Sequence, residues 1–429
     1  MPLRQRLGHA LLDVSRISRR DVWRAARWYV TAVGTAQAVA ITTVVAVDRV
    51  RKRREPPTGE FPRTEPTTVP VADSEVTTYT YGRDVYADML KAIREARRRI
   101  YFETFIWKSD EVGAEFKEAL LDAARRGVDV YIVFDSWGNL VVPPSFKQFP
   151  DMRTLHVLRF PLFRPGLLTM NLRKTGRDHR KLLVVDGEVG FVGGYNIGSL
   201  YATQWRDTHL RVTGPSVWEL ENAFVDFWND HRKQHHPRIP DQGARQWDAR
   251  IRAAQNAPAR LLFPVRGLYL EAIDRAQHHI YITQGYFIPD REILAGLVGA
   301  ARRGVDVKVL IPEVSNHVLA DWAARTYYRR LLEAGVELWL FQGAMVHAKT
   351  MTVDGRWTTV GTTNIDRMSM TGNFEVNLEI YGDTLAEQMQ RIFETDLTNS
   401  RRLTLDEWRA RGPVVKLLER LLRPLGPLL

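Results

Sequence analysis

Two stretches of the chain carry the same spaced set of polar residues. The first is DHRKLLVVDGEVGFVGGYN at residues 178–196, and the second is HAKTMTVDGRWTTVGTTN at residues 347–364. Counted from its histidine, each copy has a lysine at the second position, then an aspartate at the seventh, a glycine at the fourteenth, an asparagine at the seventeenth and an acid at the twenty-eighth. The residues at these offsets are His179, Lys181, Asp186, Gly193, Asn196 and Asp207 in the first copy, and His347, Lys349, Asp354, Gly361, Asn364 and Glu375 in the second. Agreement at so many positions indicates a duplicated structural unit.

Each copy is predicted to fold as a β-hairpin. Apolar runs follow each histidine, and the Asp-Gly pairs that begin at Asp186 and Asp354 are typical of a tight turn. Because side chains alternate faces along a strand, a histidine and a lysine two residues apart point to the same side. The hairpin therefore gathers an imidazole, an ammonium and an amide. This set suits a phosphate diester, since it offers a nucleophile or acid together with donors for the phosphate oxygens.

A longer repeat surrounds the two hairpins. The segment AARRGVDV occurs identically at residues 123–130 and 300–307. Amphipathic helices alternate with apolar strands around both copies, which predicts an α/β fold. We expect two homologous α/β sandwich halves with mixed sheets, packed about a pseudo-two-fold axis with the active site between them. The expected boundaries of the halves are residues 76–245 and 246–400.

The N-terminal segment, residues 1–54, is rich in arginine but contains an uncharged stretch at residues 28–47. Because about 20 apolar residues suffice to span a bilayer, we predict a membrane-anchoring helix there. An interfacial amphipathic helix and an ordinary buried helix are the alternatives. Basic residues flank both ends of the stretch, so the positive-inside rule assigns no orientation. Residues 55–75 are rich in proline, which predicts an extended linker.

The charge balance favours an anionic partner. The chain has 61 basic and 50 acidic residues, a net charge of +11, which suits either membrane lipid or nucleic acid. The tail at residues 401–429 is basic and amphipathic, so it either packs its leucines on the body or contacts a membrane surface. The sequence contains no cysteine, which excludes disulfides, thiolate catalysis and cysteine-ligated zinc.

The doubled pattern resembles the phospholipase D superfamily, and within it the bacterial cardiolipin synthases. The similarity runs over residues 76–400, through the two hairpin stretches and through QWRDTHLRVTGPSV, YFIPD and NFEVNLEI. Thr362 stands where the superfamily often has a serine, and Gly194 replaces that serine in the first half, as in the synthase type. The resemblance implies a phosphatidyltransferase associated with the bacterial cell membrane. It further implies anionic phospholipid partners, phosphatidylglycerol and cardiolipin, and a reaction that needs no cofactor or metal.

The resemblance also implies a two-step transfer through a phosphohistidine. We assign His179 as the nucleophile and His347 as the general acid and then base, and the reverse assignment stays open because the halves are so alike. Asp207 and Glu375 are each expected to accept a hydrogen bond from the far nitrogen of one imidazole. The expected donors to the phosphate oxygens are Lys181, Lys349, Asn196 and Asn364. Asp186 and Asp354 are interpreted as structural residues of the turns, where Asp-Gly is favoured on conformation alone.

Two aromatic residues, Trp107 and Tyr286, follow strands at nearly equivalent places of the repeat. We expect them to bind substrate as walls of the cleft, although core positions suit them equally. The apolar residues 160–172 either line a lipid entrance or form a packed surface loop. A hydrolytic phospholipase D, with water as acceptor, is the first alternative function, and a nuclease of the same superfamily is the second. The apolar N-terminal stretch, and the lack of basic runs interleaved with aromatics, count against nucleic acid.

Overall fold

The structure, a computed structural model, describes residues 19–54, 57–163, 176–241, 243 and 249–424. The strands are β1 (Thr67–Val71), β2 (Ser74–Tyr79), β3 (Arg99–Thr104), β4 (Asp129–Asp135), β5 (Leu155–Phe160), β6 (Leu182–Val185), β7 (Val189–Gly193), β8 (Trp205–Arg206), β9 (His209–Thr213), β10 (Ile251–Asn256), β11 (His279–Gln284), β12 (Asp306–Pro312), β13 (Glu337–Phe341), β14 (Met345–Val346), β15 (Lys349–Val353), β16 (Trp357–Gly361), β17 (Glu375–Tyr381) and β18 (Ser400–Leu403). The helices are α1 (Arg19–Arg54), α2 (Gly82–Glu95), α3 (Glu111–Arg125), α4 (Ser199–Thr203), α5 (Val217–His231), α6 (Pro264–Arg275), α7 (Arg291–Arg302), α8 (Val318–Glu333), α9 (Arg367–Thr371), α10 (Asp383–Thr398), α11 (Leu405–Ala410) and α12 (Pro413–Leu422).

Two sheets of eight strands form the two halves of the body. Their strand orders are β1-β2-β9-β7-β6-β3-β4-β5 and β10-β17-β16-β15-β11-β12-β13-β18. In the first sheet β3, β4 and β5 run parallel and the other neighbours are antiparallel, and β11, β12 and β13 repeat this arrangement in the second. In the order in which the strands lie in the sheets, the segment β2-β9-β7-β6-β3-β4-β5 therefore corresponds strand by strand to β10-β17-β16-β15-β11-β12-β13. The predicted α/β fold with two homologous halves and mixed sheets is confirmed.

The repeated sequence produces the same helix ends in both halves. Helix α3 begins after Asp110, whose side chain accepts a hydrogen bond from the Gly113 amide, and α7 begins after Asp290 in the same way. The two helices end just before Gly127 and Gly304, which adopt left-handed φ angles of +95° and +93°. Glycine takes up this conformation without steric cost, so the identical AARRGVDV segments stop both helices at the same place.

The three largest apolar clusters hold the sheets and helices together. One lies in the first half, where α2 and α3 cover β3 and β4, and a second lies in the corresponding part of the second half. The third cluster joins the halves, because helix α5 of the first half packs with strands and a helix of the second. Its members include Phe224, Trp228, Val360, Leu378, Ile380 and Met389. Burial of apolar surface from both halves in one cluster fixes their relative position.

A polar contact also crosses between the halves beside the cleft. Arg206 in β8 donates to Asp396 in α10 through Nε at 2.9 Å and Nη2 at 2.7 Å, and both side chains are buried. Strand β8 pairs in parallel with β14, which leads directly into His347. Because removal of one partner of a buried ion pair leaves an uncompensated charge, loss of either Arg206 or Asp396 should destabilise this junction.

Helix α1 is the one described helix that is long and apolar enough, by length and composition, to cross a membrane, over Ala26–Arg54. One side of the helix packs on the body, where Ala40 and Val44 contact Leu422 of α12 and the apolar start of α8. The other side leaves Val39 and Val47 exposed. The tail helix α12 thus packs partly on the body, as one of its two interpretations predicts.

Candidate active site

The two histidines lie at the start of the paired hairpins. Strands β6 and β7, and likewise β15 and β16, are antiparallel neighbours. At the turns, Asp186 and Gly187 have φ angles of +55° and +70°, and Asp354 and Gly355 have +52° and +64°. Positive φ at both central residues is the signature of a tight hairpin turn. The predicted hairpins are confirmed, and each positions its histidine at the junction between the halves.

Each histidine is held by the opposite half. The backbone N–H of His179 donates to the carbonyl oxygen of Phe374 at 3.0 Å, and that of His347 donates to Arg206 at 2.7 Å. The residue after each of these carbonyls is the acid that meets the imidazole. Nδ1 of His179 lies 3.0 Å from both carboxylate oxygens of Glu375, and Nδ1 of His347 lies 2.7 Å from Oδ2 of Asp207. The pairs are therefore crossed, and contact of each acid with Nδ1 leaves Nε2 of the ring to react.

The lysines of both halves act on both histidines. Lys181 Nζ donates to the carbonyl oxygen of His179 at 2.6 Å, and Lys349 Nζ donates to that of His347. Burial lowers the pKa of Lys181 to about 8 and that of Lys349 to about 7. The positive charges of both lysines also lower the pKa of each histidine. Because each lysine lowers the pKa of both histidines, the two lysines and the two histidines lie close together in one site.

The asparagines sit beside the same site. The side-chain oxygen of Asn196 accepts the Ile106 N–H at 3.0 Å, which orients its amide group. Asn364 is buried at the corresponding place of the second half, and within the described part of the chain its Oδ1 has no hydrogen-bond partner. A buried amide with free hydrogen-bonding capacity can turn to meet the oxygens of a bound phosphate.

The two histidine–acid pairs differ in charge. Burial raises the pKa of Glu375 to about 8. Burial also acts to raise the pKa of Asp207, but Lys349 and His347 outweigh it and lower that pKa to about 2. Burial and then Lys349 lower the pKa of His347 to about 3, and burial and the lysines lower the pKa of His179 well below its usual range. Both rings are therefore neutral near pH 7, but His347 faces an ionised carboxylate, whereas the acid beside His179 is largely uncharged.

A glycine and a threonine at equivalent positions fit the two different acids. A Cβ on Gly194 would lie 2.0 Å from Oδ1 of Asp207, so only glycine leaves room for this carboxylate. In the second half Thr362 stands there instead, and its hydroxyl donates to Oε2 of Glu375 at 2.5 Å. In the first half the acid is an aspartate and packs against a glycine, whereas in the second half the acid is a glutamate and packs against a threonine.

The aspartates at the turns do not meet the histidines. The carboxylate of Asp186 accepts the backbone N–H groups of Arg97, Arg98 and Arg99 at 2.8–2.9 Å. Asp354 accepts three backbone N–H groups in the same way, all at 2.8 Å, from Gln277, His278 and His279. Each carboxylate ties its hairpin to the start of the neighbouring strand, which agrees with a structural role.

One of the two expected cleft aromatics does not face the cleft. Trp107 is 2% exposed, its Nε1 donates to Gly113, and its backbone bridges to Ile197, so the side chain belongs to the core of the first half. Its counterpart is Phe287, which makes the equivalent bridge to Ile365 and is equally buried. The expectation that Trp107 binds substrate is therefore wrong. Trp107 corresponds to the buried Phe287 in the second half, one residue after Tyr286.

Tyr286, by contrast, does reach the site, with its ring centroid 5.9 Å from that of His347. Two neighbours were missed: Phe105 lies 4.8 Å from the ring of His179, and Trp205 lies 5.0 Å from the ring of His347. Trp205 stands two residues before Asp207, so the alternation of an extended strand offered a signal for it. Of the proposed lipid entrance, residues 164–172 lie outside the described residues.

The lysine pKa values predict an alkaline loss of activity. A lysine with a lowered pKa stays cationic below that pKa and loses its charge as the pH rises through it, here near 7 for Lys349 and near 8 for Lys181. The kcat/KM for a phosphodiester substrate should therefore fall more steeply above about pH 7, and by about pH 9 the loss of both lysine charges should add about −2 to the logarithmic slope. Initial rates at subsaturating lipid across this range measure it. A value of kcat/KM that keeps rising to the alkaline end would contradict it.

Comparison with known protein families yields a consistent result. Residues 89–228 and 269–397 match the family model described as "Cardiolipin synthase, PLD-like domain". The chain is 34% identical over 371 residues to the major cardiolipin synthase ClsA of Bacillus subtilis, a match that covers 83% of this chain and 76% of the relative. It is 33% identical over 367 residues to a cardiolipin synthase of Staphylococcus aureus, covering 83% and 74% of the two chains.

Two solved structures share the fold. The crystal structure of phosphatidylserine synthase from Haemophilus influenzae superposes with a TM-score of 0.65 at 16% identity, over 88% of this chain and 99% of that one. Polyphosphate kinase from Porphyromonas gingivalis superposes with a TM-score of 0.52 at 12% identity, over 83% and 53%. At these identities the likeness concerns the arrangement of the two halves alone.

Proposed function

The chain belongs to the cardiolipin synthase family of phospholipase D-like proteins, and from this premise we propose that it transfers a phosphatidyl group to phosphatidylglycerol. The product of that transfer is cardiolipin, and glycerol leaves when phosphatidylglycerol is also the donor. The observation that carries the proposal is the pair of crossed histidine–acid contacts, with two buried lysines between them. This arrangement supplies a nucleophile, a proton carrier and cations for one phosphorus atom.

In the first step, Nε2 of His179 attacks the phosphorus of the donor lipid. A nitrogen–phosphorus bond forms, the bond from phosphorus to the leaving alcohol breaks, and His347 gives that alcohol its proton. In the second step, the acceptor hydroxyl passes its proton to His347 and its oxygen attacks the phosphorus. The nitrogen–phosphorus bond then breaks, and both histidines return to their starting states.

The charges around the two rings support this division of roles. A nucleophilic imidazole must be neutral, and the surroundings of His179, with the raised pKa of Glu375, favour that form. A general acid must carry a proton, and the ionised Asp207 stabilises the imidazolium of His347. In the protein alone the pKa of His347 is about 3, and the negative charge of a phosphodiester bound beside it raises that value.

The donors to the phosphate come from both halves. Lys181 and Lys349 would contact the non-bridging oxygens, with Asn196 and Asn364 completing the set. Charge on these oxygens grows as the phosphorus becomes five-coordinate, so donors fixed in a buried site stabilise the transition state more than the substrate.

Product analysis tests the proposed reaction. Purified protein is given phosphatidylglycerol in detergent micelles without added metal, and the lipids are analysed by mass spectrometry. Cardiolipin together with free glycerol is the expected result. Phosphatidic acid without cardiolipin would identify a hydrolytic phospholipase D instead. Lack of any lipid product, with cleavage of added DNA, would identify a nuclease and refute the proposal.

We also propose that α1 anchors the protein in the bacterial cell membrane. Support comes from the length and apolar composition of Ala26–Arg54 and from the exposed apolar side chains of Val39 and Val47. Trp137 and Val141 are likewise exposed, in a loop whose Gly138 approaches Phe105 beside His179. After cell fractionation, the protein should sediment with membranes, resist extraction by high salt and alkaline carbonate, and dissolve in detergent. Release by salt alone would argue for surface association only.

A further inference from the structure

A cavity of about 380 Å³ lies between α1 and the start of α8. We propose that it binds the acceptor lipid, with the headgroup hydroxyls at the inner end and an acyl chain along α1. The inference rests on the proposed function and names the place where its second substrate sits. The residues that carry it are Val45 of α1 and Leu319 of α8 along the outer wall, and Tyr286, Asn316 and Asp366 at the inner end.

The inner end of the cavity reaches the reaction centre. The ring of Tyr286 lines the cavity and stands edge-on to His347, with the ring centroids 5.9 Å apart. Its hydroxyl donates to Oδ1 of Asn316 at 2.5 Å. An alcohol bound against Tyr286 is therefore close to the imidazole that must take its proton in the second step.

The polar groups at this end suit a polyol. The carboxylate of Asp366 is 7% exposed and lines the cavity, and it already accepts the N–H and hydroxyl of Ser369 at 2.7 and 3.1 Å. A carboxylate has about four acceptor positions, so further donors can be accommodated. Asn316 offers amide donors and an acceptor beside it. Neither group is cationic, which fits the uncharged terminal glycerol of the headgroup better than its phosphate.

The outer wall of the cavity is apolar and includes the candidate membrane helix. Val45 of α1 and Val318 and Leu319 of α8 line this part of the cavity. Lys52 Nζ donates to the carbonyl oxygen of Ser315 at 2.8 Å, which ties the end of α1 to this part of the body. Because α1 is the helix with the properties of a membrane span, an acyl chain can run from the cavity along its surface into the bilayer.

In the described part of the first half, the residues equivalent to Tyr286 and Asp366 do not form a polar inner end beside His179. Ile106 stands at the position of Tyr286, and Gly198 stands at that of Asp366. A Cβ on Gly198 would meet the side chains of Lys108, at 2.7 Å, and Asp110, at 3.1 Å, so those side chains occupy the equivalent space. The hydroxyl-binding groups are thus confined to the side of the histidine that activates the acceptor alcohol. This asymmetry gives the two otherwise similar halves different substrates.

The ratio in which the phosphohistidine reacts with water or with the acceptor lipid tests the inference. Water produces phosphatidic acid and lipid produces cardiolipin from the same intermediate, while every donor cleaved releases one glycerol. A Val45→Trp variant should fill the apolar part of the cavity and lower the ratio of cardiolipin to phosphatidic acid about tenfold or more. Glycerol release should stay within about threefold of the unmodified protein, since the donor's leaving glycerol needs only the inner end of the cavity beside His347 and not the apolar wall at Val45. Phosphatidylglycerol in nanodiscs is the substrate.

Val47→Trp is the matched control, because Val47 lies two residues further along α1 with its side chain 58% exposed. It should leave the product ratio unchanged. Asn316→Leu changes an exposed residue at the inner end, so it should fold normally and lower the ratio as well. An unchanged ratio in both Val45→Trp and Asn316→Leu, or an equal fall in Val47→Trp, would overturn the inference while leaving the synthase activity intact. Absence of cardiolipin from the unmodified protein would overturn the proposed function itself, and the inference with it.

Discussion

His347→Ala, given a phosphatidyl ester of p-nitrophenol, should release one equivalent of nitrophenol and then stop, whereas His179→Ala should release none. Nitrophenolate leaves without a proton, so the first step needs only the nucleophile, and His179 is still present in the first variant. The second step needs a base to activate the acceptor alcohol, and without His347 the phosphohistidine should accumulate. With phosphatidylglycerol itself, whose leaving glycerol requires a proton, both variants should lose about 10⁴-fold or more in kcat.

Rapid mixing with absorbance detection measures the burst, and mass spectrometry of acid-sensitive peptides locates the phosphoryl group on His179. His235→Ala provides a matched control, since His235 is an exposed histidine whose ring contact is with His236. It should turn over at the unmodified rate. A burst from His179→Ala with the label on His347 would establish the reverse assignment of the two roles.

Asp207→Asn and Asp186→Asn should separate an acid that acts in the site from one that holds the fold. Asp207 receives the Nδ1–H of His347 at 2.7 Å. An amide at this position can force the other tautomer and no longer stabilises the imidazolium, so kcat should fall about 10³- to 10⁴-fold with little change in stability. Glu375→Gln should lower kcat less than Asp207→Asn, because the raised pKa of Glu375 leaves that acid largely uncharged at neutral pH and the amide replaces a group of similar charge.

Asp186→Asn should instead lower stability. The carboxylate accepts three backbone N–H groups, and an amide NH₂ in place of one oxygen would face the N–H of Arg97. The free energy of unfolding should decrease by about 1–3 kcal/mol, and kcat should remain within a few fold of the unmodified value. Urea unfolding and steady-state rates with phosphatidylglycerol measure the two quantities. Lost turnover at unchanged stability in Asp186→Asn, together with near-normal turnover in Asp207→Asn, would refute this assignment.

The sequence predicted the hairpins and the gathering of the polar set because both follow from local rules. Alternation along a strand determines that His179 and Lys181 face together, and Asp-Gly determines where each hairpin turns. The match of the two copies then indicated two equivalent halves. These features depend on residues close in the chain, which a sequence displays directly.

Features that depend on the packing of one half against the other could not be read in this way. Asp207 and Glu375 stand at the same offset from their own histidines, so the offset does not tell which imidazole each one meets. The exchange results from the pairing of β8 with β14 and of Asp178 with Phe374, which are contacts between distant segments. The pKa difference between the two acids likewise depends on the lysines that the fold brings near them.

The misplacement of Trp107 has a different cause. Thr104 ends β3, and beyond it strict alternation no longer determines which way a side chain points. A shift of one residue then exchanges a cleft position for a core position. The match of residues 100–107, IYFETFIW, with residues 280–287, IYITQGYF, already sets Trp107 opposite Phe287, and the backbone bridges of Trp107 to Ile197 and of Phe287 to Ile365 confirm that register.

The crossed contacts make the two copies of the repeat mutually dependent. His179 lacks an orienting carboxylate unless Glu375 reaches it, and His347 lacks one unless Asp207 does. A single copy therefore contains every reactive group and yet no working pair. An ancestral chain with one copy would have required a second molecule before any chemistry was possible, and duplication within one gene would have made that partner permanent. In the joined chain, loss of the acid from either copy disables the histidine of the other copy.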